Sequence, residues 1–237
     1  MQVKQLLRGI AFAGCLALVG AAASADEIPV YNNSFEISNP MQYSCLAPAT
    51  CSWNGGPIPG WVSNEPLNAS GSQQPGNAMF SGPLPDGGTT TAWVNAGTLT
   101  QTLDVALQPD STYILSVYVG HRLPDFVPFV PGDPQADLIA DYSISLDAGS
   151  TTLATLTGSN GSITAGTFAL ETLTYSTGDV VTPGNLAIVL GSDGPQIDFS
   201  DVQLVDPPND PTPEPGSFGL MTIGIASLTL LYRRLHA

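Results

Sequence analysis

Between Asp26 and Pro213 the chain carries 19 carboxylates against a single arginine, Arg122, a single histidine, His121, and no lysine. General acid–base chemistry by histidine or lysine is nearly absent from that inventory, and no serine stands in a nucleophile elbow. Two carboxylates can form a glycosidase pair, yet with so many acids scattered through loops the approach of two is expected by chance. The inventory therefore argues for a non-enzymatic protein. Arg122, alone among acids, is expected to find a carboxylate. It serves either as a bidentate clamp from a loop to a strand end or with its donors turned to a ligand. Trp61, Trp93, Tyr118, Phe126 and Phe129 are aromatics whose flat faces can hold a ring-shaped ligand beside hydrogen-bonding groups, the alternative for each being a place in the core.

The elements that must position these residues read as strands. From Asp26 to Asp206 there is no helical periodicity of useful length, while several stretches alternate at period two. In Thr112–Gly120, Tyr113, Leu115, Val117 and Val119 share one face; in Asp141–Ala148, Tyr142, Ile144 and Leu146 point inward. Leu99–Leu107, Thr151–Thr157, Thr167–Tyr175, Leu186–Leu190 and Ile197–Val205 are the other candidates, separated by Gly, Pro, Asn and Asp. With 25 Gly and 21 Pro in 237 residues, the pattern predicts an all-β antiparallel sandwich or jelly roll over residues 26–206. A formal charge of -15 opposes nucleic acid, whose binding depends on cationic side chains.

The two ends read as addresses. Residues 1–25 join a basic start (Lys4, Arg8) to an apolar run and close on Ala23-Ser24-Ala25, the small-x-small pattern of signal-peptidase cleavage after Ala25. Residues 207–215 form a Pro-rich stalk ending in Pro213-Glu214-Pro215, and residues 216–237 an apolar, transmembrane-like helix closed by Arg233-Arg234. Paired arginines beside a short apolar span stay cytoplasmic, leaving the bulk of the chain outside. Cys45 and Cys51, with five residues between them in one Pro-rich loop, read as a local disulfide in an oxidising compartment. Two thiolates without nearby histidine are too few for a closed zinc site. The tripeptide, helix and basic tail resemble the PEP-CTERM sorting signal of Gram-negative bacteria. That resemblance implies signal peptidase and exosortase as processing partners, transient anchoring in the inner membrane, and a final place on the cell surface or in the extracellular matrix.

Several motifs line up across the ectodomain: Asn32-Asn33-Ser34-Phe35-Glu36, Ile58-Pro59-Gly60-Trp61, Leu99-Thr100-Gln101-Thr102-Leu103, Thr112-Tyr113 with Gly120-His121-Arg122, and Phe199-Ser200-Asp201-Val202-Gln203-Leu204. In order and spacing they resemble galactose-binding-like jelly rolls, a group in which carbohydrate-binding modules are prominent. The resemblance implies sugar binding and a structural calcium held by Glu36 and Asp201 with Asp198 as a neighbour, in keeping with the preference of hard cations for carboxylate oxygens. The expected function is non-catalytic binding of polysaccharide in the cell's own envelope or matrix, with Trp61, Trp93, Tyr118, Arg122, Phe126 and Phe129 as candidate contacts. A purely structural biofilm component with no ligand is the alternative, with a glycoside hydrolase and an ice-binding protein more remote.

Overall fold

The computed structural model describes residues 26–44, 50–64, 69–123 and 139–206. The expectations placed on Ala23, Ala25, Cys45, Phe126, Phe129, Pro213, Glu214, Pro215, Arg233 and Arg234 lie outside them. Among the described residues the chain runs β1 (Asp26–Ile28), β2 (Tyr43–Ser44), β3 (Ser52–Trp53), β4 (Val62–Ser63), β5 (Ser70–Gln74), α1 (Gly76–Met79), β6 (Thr91–Val94), β7 (Gly97–Ala106), β8 (Thr112–His121), β9 (Asp141–Ala148), β10 (Thr151–Ser159), β11 (Thr167–Ser176), β12 (Asn185–Ser192) and β13 (Ile197–Asp206). Two antiparallel sheets pack face to face. One has the order β11-β8-β13-β6-β5-β3-β2 with β1 added to β13, and the other the order β10-β9-β12-β7-β4.

The alternating strands supply the core from their inner faces. Tyr113, Leu115, Val117 and Val119 of β8 meet Ile144 and Leu146 of β9, Leu186, Ile188 and Leu190 of β12, and Ile197, Phe199, Val202 and Leu204 of β13. This is the sandwich arrangement in which inward apolar positions alternate with outward ones. Trp61 belongs to this interior. It is 4% exposed, its ring lies 5.3 Å from that of Phe35, and its Nε1 donates to the Asn32 carbonyl. It is a core plug rather than a face for a ligand. Gln101, also inside, fixes the first segment by accepting from the Tyr31 N–H and donating to the Tyr31 carbonyl.

In β13 the alternation changes parity. Asp201 has φ 47°, and pairing with β8 shifts between Ser200 and Gln203. One extra residue there lets Val202 and Leu204 continue on the core side after Phe199. The break also divides the strand's other edge, which pairs with β6 before it and with β1 after it.

Candidate active site

The outer face of the first sheet, away from the core, is not a wetted surface. Asp198 of β13 pairs with Gly120 of β8 on one side and with Trp93 of β6 on the other. The next row along holds Tyr118 beside Ser200 and, on β6 and β5, Thr91 beside Gln73. Asp198, Ser200 and Thr91 are 0% exposed, and Trp93 and Gln73 are buried. The segment after α1 folds over the Gly120 end of this face, while Trp93 packs against Trp53, 6.1 Å away ring to ring, and donates from Nε1 to the Asn54 carbonyl. Leu123 N–H donates to the Met79 carbonyl and Ser81 N–H to the Gly166 carbonyl, which seats Phe80 4.4 Å from Phe168 of β11. Beneath that pair lies Gly120. A Cβ there would stand 2.6 Å from Phe168 and 3.0 Å from Phe80, so only glycine lets the two rings rest on the sheet beside Asp198.

Asp198 is the chemical centre of this face. Its Oδ1 accepts from the side-chain amides of Gln73 and Gln196, and Gln196 also donates to Gln73 Oε1, so the two amides lock each other and the carboxyl. Its Oδ2 has no hydrogen-bond partner and stands 3.8 Å from Arg122 Nε. Burial pushes the carboxyl up to about 6, against the opposing pull of Arg122, the Gln196 hydrogen bond and His121. Desolvation lowers Arg122 while Asp198 holds it up. Arg122 therefore meets its carboxylate as a side-on partner at the end of β8 rather than as a bidentate clamp. His121, one residue before it, is buried with Nδ1 on the Ile163 carbonyl at 2.8 Å. A buried carboxyl held above the usual carboxylate range, with Trp93 on one side and Gly120 on the other, is equipped to give and take a proton in a dry setting.

Two clefts meet at Phe80. One, of about 350 Å³, is bounded by Phe80, Pro83, Tyr118 and Phe168; the other, of about 670 Å³, by Cys51, Gln74, Phe80 and Leu84. Cys51 is disulfide-bonded. Of the expected ligand contacts, Trp93, Tyr118 and Arg122 share this side of the sheet and Trp61 does not.

The three residues expected to hold calcium are placed apart in role. Glu36 takes the N–H groups of Thr89 and Thr90 on Oε1 and the Thr89 hydroxyl on Oε2. Asp201 takes Gln203 on both oxygens, and Asp198 faces two amides and an arginine. Among the described residues no three His, Cys, Asp or Glu side chains are grouped to hold a metal. The sandwich as a fold is compatible with calcium, and no metal site is shown among the described residues.

The residues that sequence alone missed are Gln73, Thr91, Gln196, Phe80 and Phe168. Their signal was weak: β5 (Ser-Gly-Ser-Gln-Gln) has no apolar residue, and Phe80 lies outside any strand.

Among solved structures, a Stig cyclase, Fisc from Fischerella sp. TAU, bound to (3Z)-3-(1-methyl-2-pyrrolidinylidene)-3H-indole, is 23% identical. It covers 79% of this chain and 100% of its own, at TM-score 0.64. A cyclase from Fischerella sp. TAU bound to 4-(1H-indol-3-yl)butan-2-one is also 23% identical, over 78% of this chain and 100% of its own, at TM-score 0.62. A CBM4 module is among the neighbours at 14% identity, over 75% of this chain and 99% of its own, at TM-score 0.39. No curated protein matches the chain. The family model for HpiC1-like, described as HpiC1 cyclase, matches residues 26–205.

That match corrects the functional expectation. The inventory of His and Lys pointed to a non-catalytic polysaccharide binder or a structural biofilm protein, whereas the family and the Stig cyclase neighbours point to a cyclase. The expected partners are corrected with it, since a cyclase acts on a small molecule rather than on polysaccharide or through an exosortase, and nothing found supports a PEP-CTERM assignment. The inventory counted histidine and lysine and took no account of a carboxyl that burial pushes up to about 6. Matched from Asp26 to Val205, over the whole sandwich that builds this buried carboxyl, the chain belongs to the HpiC1-like family.

Proposed function

We propose that the protein is a cyclase for a small, largely apolar, electron-rich molecule and that Asp198 is its general acid and base. The observation that carries the proposal is a fully buried carboxyl pushed up to about 6, flanked in the sheet by Trp93 and by the Gly120 floor under Phe80 and Phe168. Protonated Asp198 gives its proton to a carbon–carbon double bond, leaving a carbocation on the substrate. Aromatic faces favour such a charge, and the exclusion of water protects it from capture. An internal double bond or ring carbon then attacks the cation, one carbon–carbon bond forms, and loss of a proton to the Asp198 carboxylate restores the acid. The product has the mass of the substrate, and no oxidant or reductant is consumed. Gln73 and Gln196 hold the carboxyl in place through Oδ1, which leaves Oδ2 to face the substrate and Arg122.

The experiment is conversion of alkenyl-substituted indoles by the full-length protein, followed as a change in retention at constant mass. Asp198→Asn is expected to lower turnover at least about a hundredfold, the scale of a lost general acid, with the far-ultraviolet circular dichroism of the parent. Full activity in that variant, or no conversion across the panel, overturns the proposal. We also propose that the protein works after export, in an oxidising compartment; the leader-like residues 1–25 and the disulfide at Cys51 support that address.

A further inference from the structure

We infer that the hydroxyls of Ser200 and Thr91 are the anchoring point for one hydrogen-bonding atom of the ligand, which narrows the substrate class to an apolar body carrying a single hydroxyl, carbonyl or amine. The inference rests on the reading of this face as the active site.

Both hydroxyls are completely buried and neither Oγ of Ser200 nor Oγ1 of Thr91 has a hydrogen-bond partner. They lie on one face. Ser200 pairs with Tyr118, Thr91 pairs with Gln73, and Phe199 pairs with Ala92, so the next step along β13 and β6 sets Ser200 beside Thr91. Tyr118, Ser200, Thr91 and Gln73 thus make a polar row across β8, β13, β6 and β5. It runs parallel to the row of Gly120, Asp198 and Trp93. Two residues of extended chain separate the rows, about 7 Å along the strand. Gln73 is already occupied by Asp198 and Gln196, and the two hydroxyls between it and Tyr118 are left over.

A buried hydroxyl without a partner is unfavourable, and native proteins pair nearly all such groups. Two of them side by side, in line with an acid, are a pair of donors and acceptors set for a molecule that brings the missing partner. Tyr118 is the member of the row that borders the 350 Å³ cleft beside Phe80 and Phe168, and the two hydroxyls lie behind it in the row. A ligand entering there lays its apolar body against the rings and its polar atom on the hydroxyls. The carbon to be protonated then sits about 7 Å away at Asp198.

The test uses two probes that differ only in one hydroxyl and carry no other hydrogen-bonding atom, 3-(naphthalen-1-yl)propan-1-ol and 1-propylnaphthalene, titrated into the full-length protein by calorimetry. Wild type is expected to prefer the alcohol by about tenfold, the scale of one good hydrogen bond to a buried site. Ser200→Ala is expected to reduce that preference, and Ser200→Ala with Thr91→Val to abolish it while binding of 1-propylnaphthalene is kept. Thr91→Ser, which retains the hydroxyl, keeps it. Retained binding of 1-propylnaphthalene shows that a variant is folded. Equal binding of both probes by wild type, or a preference that survives the double substitution, overturns the anchoring role and leaves the cleft intact. Failure of wild type to bind either probe overturns the cleft as the active site and the anchor with it.

Discussion

At the scale of single residues, the behaviour of Asp198 is set by what is packed around it. The charged and titratable groups that face it are Arg122 and His121, both of which favour its anion, while the Gln196 amide does the same through a hydrogen bond and burial opposes all three. Removing the cation tips that balance in a known direction. Arg122→Gln raises the carboxyl further, so the protonated acid persists to higher pH. As a positioning residue, Arg122 is then visible in the pH profile: turnover, which depends on protonated Asp198 and falls as pH rises through about 6, is expected to fall at a pH about one unit higher in the variant. One unit corresponds to about tenfold in the protonated fraction on the alkaline side. The carbon resonance of the Asp198 carboxyl, titrated without substrate, should move by the same amount; an unmoved midpoint rules out the role. Part of this site was legible in the sequence. A lone arginine among acids had to meet a carboxylate, and Asp198 was named, though as a neighbour of calcium. What the sequence could not give was the covering of the face. On a strand whose inner positions are Ile197 and Phe199, Asp198 and Ser200 read as solvent-facing, whereas both are completely buried.

Elements decide whether that covering exists. The meeting of β8, β11 and the chain after α1 depends on Gly120, where a Cβ would lie 2.6 Å and 2.9 Å from two atoms of the Phe168 ring and 3.0 Å from Phe80. Gly120→Val must push the rings off the sheet. Overpacking of this kind costs about 1–3 kcal/mol, and it opens the face over Asp198 as well. The expected outcome is a lower unfolding midpoint together with an Asp198 carboxyl that titrates closer to the ordinary value, because burial is what raises it. Loss of stability with an unchanged titration would mean the rings do not keep water from the acid. The long strands that carry this junction were readable from alternation: β8, β9, β11 and β13 fall within about a residue of their predicted spans. The short ones were not. β5 offers only Ser, Gly and Gln, and β2, β3 and β4 have two residues each, too few for any period to show. Asp201 defeated the period in another way, since a bulge shifts the inward phase by one residue.

For the whole molecule, the consequence of covering both faces of the first sheet is a stability that runs against the usual carboxylate trend. Asp198 has an ordinary value of 3.8 and is pushed to about 6 in the fold. Between those two values the unfolded chain releases this proton and the folded chain keeps it. The proton's contribution is therefore fully present below about pH 4 and is lost as pH rises through about 6, after which it is constant. A rise of that size in a fully buried carboxyl corresponds to roughly 3 kcal/mol. Asp206, raised by burial and by Asp26 across the strand pair, acts in the same sense from a more exposed position. Asp198→Asn removes the largest of these contributions without removing the acceptor for Gln73 and Gln196. Denaturant unfolding of parent and variant across pH 4 to 8 is expected to show the variant gaining on the parent by roughly 3 kcal/mol, all of it before pH 7. A difference that stays flat over that range would mean the folded protein leaves Asp198 at its ordinary value. The proton donor on which the proposed chemistry depends would then be missing from the molecule at neutral pH.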